Sequence, residues 1–149
     1  MWKGAGMTIG ALLQGRDRDS IVSVTPEMSI GDVLALLADR RIGAVPVIEG
    51  DQVVGIVSER DIIYGLRSDG PSFLDRSVRD SMTTPVITVA SATSALEALA
   101  MMTQRRIRHL PVMDGAVLVG FVSIGDLVKA RMERIESEAA AMREYIQSA

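Results

Sequence analysis

The chain contains one segment twice. Residues 21–63 overlay residues 86–128 at a constant offset of 65, without a gap. Ile42 falls on Ile107, Pro46 on Pro111, Gly55 on Gly120, Ser58 on Ser123 and Asp61 on Asp126. A unit present only twice predicts two modules packed on one another, because stacked solenoids need roughly three repeats or more. Each copy alone is too small to bury much surface, so the copies are expected to share surface with each other. Any site built in one copy has a counterpart in the other, which makes the differences between copies readable.

Composition narrows the classes. Of 149 residues 48% are hydrophobic but only 3% aromatic, which predicts a packed core of aliphatic and Met side chains. The absence of Cys excludes disulfides and thiol chemistry, and with a single His a zinc site is not expected. A net charge of −3 argues against general nucleic-acid binding, which needs a dominant basic field. No apolar run reaches the roughly 20 residues of a membrane span. Residues 1–6 lack the apolar stretch of a signal peptide and read as a short extension before Met7. The expected location is cytoplasmic, with no membrane partner.

Hydrophobic spacing predicts the order β-α-β-β-α in each copy. Residues 8–13 read as a short helix and 21–24 as a strand; a helix then opens at Ser29, with Asp32 at capping-box spacing and Ile30, Val33, Leu34 and Leu37 on one face. Two β-branched runs, 44–48 and 52–58, flank Glu49-Gly50-Asp51 as a hairpin. A second helix covers 61–66. The second copy repeats the pattern: short helix 77–82, strand 86–89, helix 94–104, strands 110–113 and 117–123. The expected domains are a first repeat at 8–66, a linker at 67–76 punctuated by Gly70-Pro71, and a second repeat at 77–128.

From Ile124 the helical pattern continues to about residue 147. Val128, Met132, Ile135, Ala139, Met142 and Ile146 alternate spacings of four and three, the seam of a coiled coil. Two readings stay open: the helix lies on its own domain, or it meets a partner helix in a homodimer.

The candidate chemistry sits where each hairpin runs into a helix, at Ser58-Glu59-Arg60-Asp61 and Ser123-Ile124-Gly125-Asp126. Ser-x-x-Asp is a capping box that satisfies orphan amides. The same geometry suits a nucleoside phosphate, with amides and the Ser hydroxyl toward phosphate and the Asp toward both ribose hydroxyls.

The duplicated order, with Arg-Ile-x-Ala-Val-Pro-Val (41–47), Arg-Ile-Arg-His-Leu-Pro-Val (106–112) and the two Gly-x-Val-Ser-x-x-Asp stretches (55–61, 120–126), closely resembles the CBS domain pair, or Bateman module. The resemblance runs from about Thr8 to Val128. It implies an α+β fold of tandem CBS repeats packed as a pseudo-twofold pair, here with a long C-terminal helix at 124–147. It further implies clefts that take adenosine compounds (AMP, ADP, ATP, NAD or S-adenosylmethionine), Asp holding the ribose and Ser assisting at the phosphate. Carried across, the first cleft combines Ser58, Arg60 and Asp61 with Thr83, Val86, Ile87, Arg108, His109 and Leu110. The second combines Ser123, Gly125 and Asp126 with Ile21, Val22, Gly43, Ala44 and Val45.

The copies differ where Arg108-His109 replaces Gly43-Ala44, and Glu59-Arg60 replaces Ile124-Gly125. The clefts are therefore expected to be inequivalent, with the first preferring the larger or more phosphorylated ligand. Arg40-Arg41 and Arg105-Arg106 fall at helix C-termini, as dipole partners or phosphate contacts. No P-loop or Gly-x-Gly-x-x-Gly is present, and one His supports no nucleophile–His–acid set, so no enzyme and no catalytic cofactor are expected. The expected function is an adenosine-nucleotide sensor acting alone as a homodimer, its protein target unknown. The alternative is a structural dimerisation subunit docking on a separate enzyme or transporter without an obligatory ligand.

Overall fold

The structure is a computed structural model that describes residues 6–148. Residues 1–5, most of the expected N-terminal extension, lie outside the described residues.

Each repeat is a helix, a hairpin and a helix. In the first, α2 (Ile30–Arg40) precedes β1 (Ala44–Glu49), β2 (Gln52–Ser58) and α3 (Glu59–Asp69). In the second, α5 (Ala95–Arg105) precedes β3 (His109–Asp114), β4 (Val117–Ser123) and α6 (Ile124–Ser148). Two short helices, α1 (Ile9–Leu12) and α4 (Val78–Ser81), stand before the repeats.

Local chemistry accounts for these bounds. Ser29 Oγ accepts the Asp32 N–H at 3.1 Å, and Ser94 Oγ accepts that of Glu97 at 3.0 Å, starting α2 and α5. Both helices end on an arginine with positive φ, Arg41 at 54° and Arg106 at 56°. The hairpins share one register, Ala44↔Ser58 and His109↔Ser123, and the same irregularity after Val47 and Val112.

The expected strands at 21–24 and 86–89 contract to single parallel bridges, Val24↔Val47 and Val89↔Val112. The Val24 N–H donates to Pro46 O, and the Ile48 N–H donates to Val24 O. One step further along, the ladder would need an N–H from residue 46, which proline lacks. Pro111 stops the second bridge in the same way. The expected linker is also more ordered than a connector. Its first residues extend α3, and Gly70–Asp75 form a 3-10 helix whose Phe73 is buried. Phe73 lies over Gly65, where an added Cβ would fall 2.2 Å from the ring.

Two cores result, and each borrows from across the linker. Ile9 of α1 is fully buried with Val89, Ala98, Met102 and Leu110, in the second repeat. Val78 of α4 is fully buried with Val24, Val33, Val45 and Val57, in the first. Backbone bonds fix both: Ile9 N–H to Thr93 O and Val78 N–H to Met28 O, each 2.8 Å. Each such buried aliphatic contributes about 1.5–3 kcal/mol. The chain closes over two glycines to allow this. An added Cβ on Gly120 would meet Leu13 at 2.4 Å, and one on Gly55 would meet Met82 at 2.6 Å.

Candidate functional site: two clefts between the repeats

Two cavities open where the hairpins meet, of about 220 Å³ and about 410 Å³. The smaller, first cleft contains Ser58, Arg60, Asp61, Thr83, Val86, Ile87, Arg108 and His109 in its wall. Leu110 is not there: it is fully buried in the second core. The second cleft is lined by Ile21, Val22, Gly43, Ala44, Ser123 and Asp126. Val45 instead fills the first core, and Gly125 is exposed outside the wall. Strand alternation explains Val45 and Leu110, since each follows a cleft-facing residue and points to the opposite face.

Gly43, Ala44 and His109 line both cavities, so they form the partition between them. An added Cβ on Gly43 would stand 3.3 Å from His109 Cε1. His109 also stacks on Phe121, with ring centroids 5.7 Å apart. Burial, then the neighbouring Arg108 charge, pushes its pKa below the ordinary imidazole value. Arg106 joins the first cleft and Arg41 the second, both named from the sequence as dipole partners or phosphate contacts, while Arg16, Asp17 and Ser20 of the second cleft escaped the sequence reading. Arg41 and Arg106 carried a signal as helix-terminal cations. Arg16 lies before the repeated segment and had no counterpart to compare.

The two Ser-x-x-Asp motifs are built alike. Asp61 Oδ2 accepts the Ser58 N–H at 2.9 Å, and the Asp61 N–H donates to Ser58 Oγ at 3.3 Å. Asp126 Oδ2 accepts the Ser123 N–H at 2.9 Å, and the Asp126 N–H donates to Ser123 Oγ at 3.1 Å. Each aspartate thus caps its helix with one carboxylate oxygen and keeps the other for the cleft. Capping and ligand binding need not compete. The helix-start amides are less available than expected. The Glu59 N–H already donates to Gly43 O and the Ile124 N–H to Arg108 O.

The second carboxylate oxygens have different companions. Asp61 Oδ1 accepts the Thr83 hydroxyl at 3.1 Å. Asp126 Oδ1 meets Arg16 Nη2 at 3.3 Å. Burial alone would push Asp126 upward, but the Ser123 amide and the Arg16 guanidinium outweigh it and hold its pKa below the carboxylate range. In the first cleft Arg60 Nη1 donates to Arg106 O at 3.0 Å, and Arg108 stands 4.0 Å from Glu59. Three arginines face one aspartate there, whereas Arg16 and Arg41 balance Asp17 and Asp126 in the second. Arginines are thus more numerous in the first cleft, where the sequence placed the cations, and the second cleft is the larger of the two.

Comparison with known proteins agrees with this architecture. The family model for the CBS domain matches residues 17–68 and 77–133. A CBS domain-containing protein of Arabidopsis thaliana, mitochondrial CBSX3, is 34% identical over 128 residues. That match covers 83% of this chain and 62% of the relative. The crystal structure of the CBS-domain containing protein ATU1752 from Agrobacterium tumefaciens superposes with a TM-score of 0.80 at 36% identity. It covers 88% of this chain and 98% of that one. The structure of CBSX2 in complex with AMP aligns with a TM-score of 0.73 at 28% identity, over 86% of this chain and 98% of that one. The chain belongs to the CBS domain family, as a tandem pair of its repeats.

Proposed function

We propose that this chain is a regulatory sensor of adenosine nucleotides (AMP, ADP, ATP or NAD), acting as a homodimer and not as an enzyme. One observation carries the reading. In each cleft a Ser-x-x-Asp aspartate keeps one carboxylate oxygen free of the helix cap, within a cavity that also holds arginines. A carboxylate can accept both hydroxyls of a ribose diol, and guanidinium groups suit phosphate. The apolar walls offered by Val86 and Ile87, and by Ile21 and Val22, suit a purine. The AMP complex of CBSX2, a structural relative, supports adenosine chemistry.

The signal would be a change in how the repeats pack. Both clefts share the partition of Gly43, Ala44 and His109, so filling one alters a wall of the other. Such a shift is limited by the ligand's differential affinity for the two arrangements.

Calorimetry with AMP, ATP and NAD tests the reading. Asp61→Ala and Asp126→Ala are each expected to weaken one of two binding steps about tenfold or more. Full affinity at both steps in both variants would overturn the site. In a thermal-shift panel, a ligand at 100 times its dissociation constant adds about 2.7 kcal/mol. No shift with any adenosine compound would instead favour a structural dimerisation subunit whose motifs only cap helices.

A further inference from the structure

The segment leading into the first repeat is longer than its counterpart, and this alters the second cleft. Leu13 over Gly120 and Met82 over Gly55 are equivalent anchors. Seven residues, 14–20, connect Leu13 to Ile21, whereas only three, 83–85, connect Met82 to Val86. In the short connection Thr83 brings a neutral hydroxyl to Asp61 Oδ1. In the long one Arg16 brings a cation to Asp126 Oδ1.

We propose that Arg16 is an internal occupant of the second cleft's ribose-binding carboxylate, and that it makes this cleft select phosphorylated adenosine over the bare nucleoside. The proposal rests on the nucleotide reading above. A neutral nucleoside reaching Asp126 must separate the ion pair and deprive the guanidinium of that carboxylate. A nucleotide supplies a phosphate to receive it, which offsets the loss. In the first cleft a hydroxyl rotates away at small cost, so nothing there opposes the bare nucleoside.

Calorimetry in an Asp61→Ala background, where the first cleft is weakened and the second is read as the tighter step, tests this with adenosine and AMP. Arg16→Gln is expected to raise adenosine affinity about threefold and lower AMP affinity about fivefold, shrinking the AMP-to-adenosine ratio roughly fifteenfold. Should Asp61→Ala unfold the chain, the binding step that Asp126→Ala weakens, followed with the first cleft unaltered, gives the same ratio. An unchanged ratio overturns the role of Arg16 and leaves the nucleotide reading standing. Absence of AMP binding with Arg16 intact, in the unaltered chain as well, overturns both.

A separate observation concerns α6. Leu127 and Ala130 bury one side of its first turns, but every residue from Ile135 to Ser148 is exposed. Among the described residues nothing covers the seam Met132, Ile135, Ala139, Met142 and Ile146, which argues against a helix lying on its own domain. The charges beside the seam say what covers it. Heptad spacing sets Lys129, Glu136 and Arg143 on one flank, and Arg131, Glu138 and Tyr145 on the other. In a parallel pair opposite flanks meet, so Arg131 faces Glu136 and Glu138 faces Arg143 across the seam. In an antiparallel pair each flank meets its own kind, so Glu136 faces Glu136, and Lys129 faces Arg143.

We infer that a second copy of this chain covers the seam as a parallel, in-register coiled coil. Without native cysteines, single substitutions report register directly. Met132→Cys and Ile146→Cys, made separately, are each expected to link into dimers on mild oxidation. An antiparallel pair would hold each pair of equivalent residues about 15 Å or more apart along the axis. Glu136→Arg should weaken the dimer in light scattering, and adding Arg131→Glu should restore it. A monomer in the unaltered chain, or no linkage at either position, overturns the inference.

Discussion

His109 shows how much one side chain can carry at the partition. It stacks on Phe121, stands against Gly43 and borders both cavities. Burial and Arg108 lower its pKa, while Glu59 and Asp126 act the other way more weakly. The folded state therefore resists a proton that the unfolded chain accepts at about pH 6.5. Below that pH the unfolded chain binds more protons, so stability falls as pH drops from about 6.5 toward the depressed folded value. His109→Phe keeps a ring on Phe121 and removes the titration. Urea titrations should show the unaltered chain losing stability relative to this variant between about pH 7 and pH 5. A constant difference across that range would mean that His109 titrates alike in both states. Arg16 and Asp126 make a complementary point. The motif aspartate was legible because it occurs twice, but its occupant was not, because Arg16 comes from a longer connection outside the matched segment.

At the scale of elements, the hairpins and the starts of α2 and α5 followed from patterns each segment carries itself: alternation, β-branching and Ser caps. The two lost strands depended on a neighbour. Pro46 and Pro111 were visible in the sequence, but which strand would seek their missing N–H was not. The placement of α1 and α4 was also hidden, because a single turn with one buried aliphatic fits either core equally well on composition. Glycine recorded that placement without naming the partner. Gly120→Ala would push a methyl into Leu13, whose branched end cannot fold away, and should cost about 1–3 kcal/mol by urea denaturation. Leu13→Ala in the same chain should recover part of that cost, a coupling expected only of touching residues. Gly55→Ala should cost less, because the unbranched Met82 above it has rotamers to spare.

For the whole molecule, the duplication carried the architecture and the difference in charge between the copies, but not the difference in cleft volume or the cation at Asp126. The two clefts differ in volume, in charge balance and in what meets the aspartate, all within one repeated frame. None of the described helices is long and apolar enough to cross a membrane. The crossed docking of α1 and α4 also sets an order of assembly. During synthesis α1 leaves the ribosome well before the surface it belongs to, which is made from residues 89–127. The first repeat has its closing piece once Val78 emerges, while Ile9 must wait about a hundred residues for its site. Of the two short helices the one made earlier docks later, and its long loop closure belongs to the slower class of folding events. Until that moment Asp126 has no Arg16 beside it, so the second cleft acquires its internal cation only when the segment before the first repeat reaches the second.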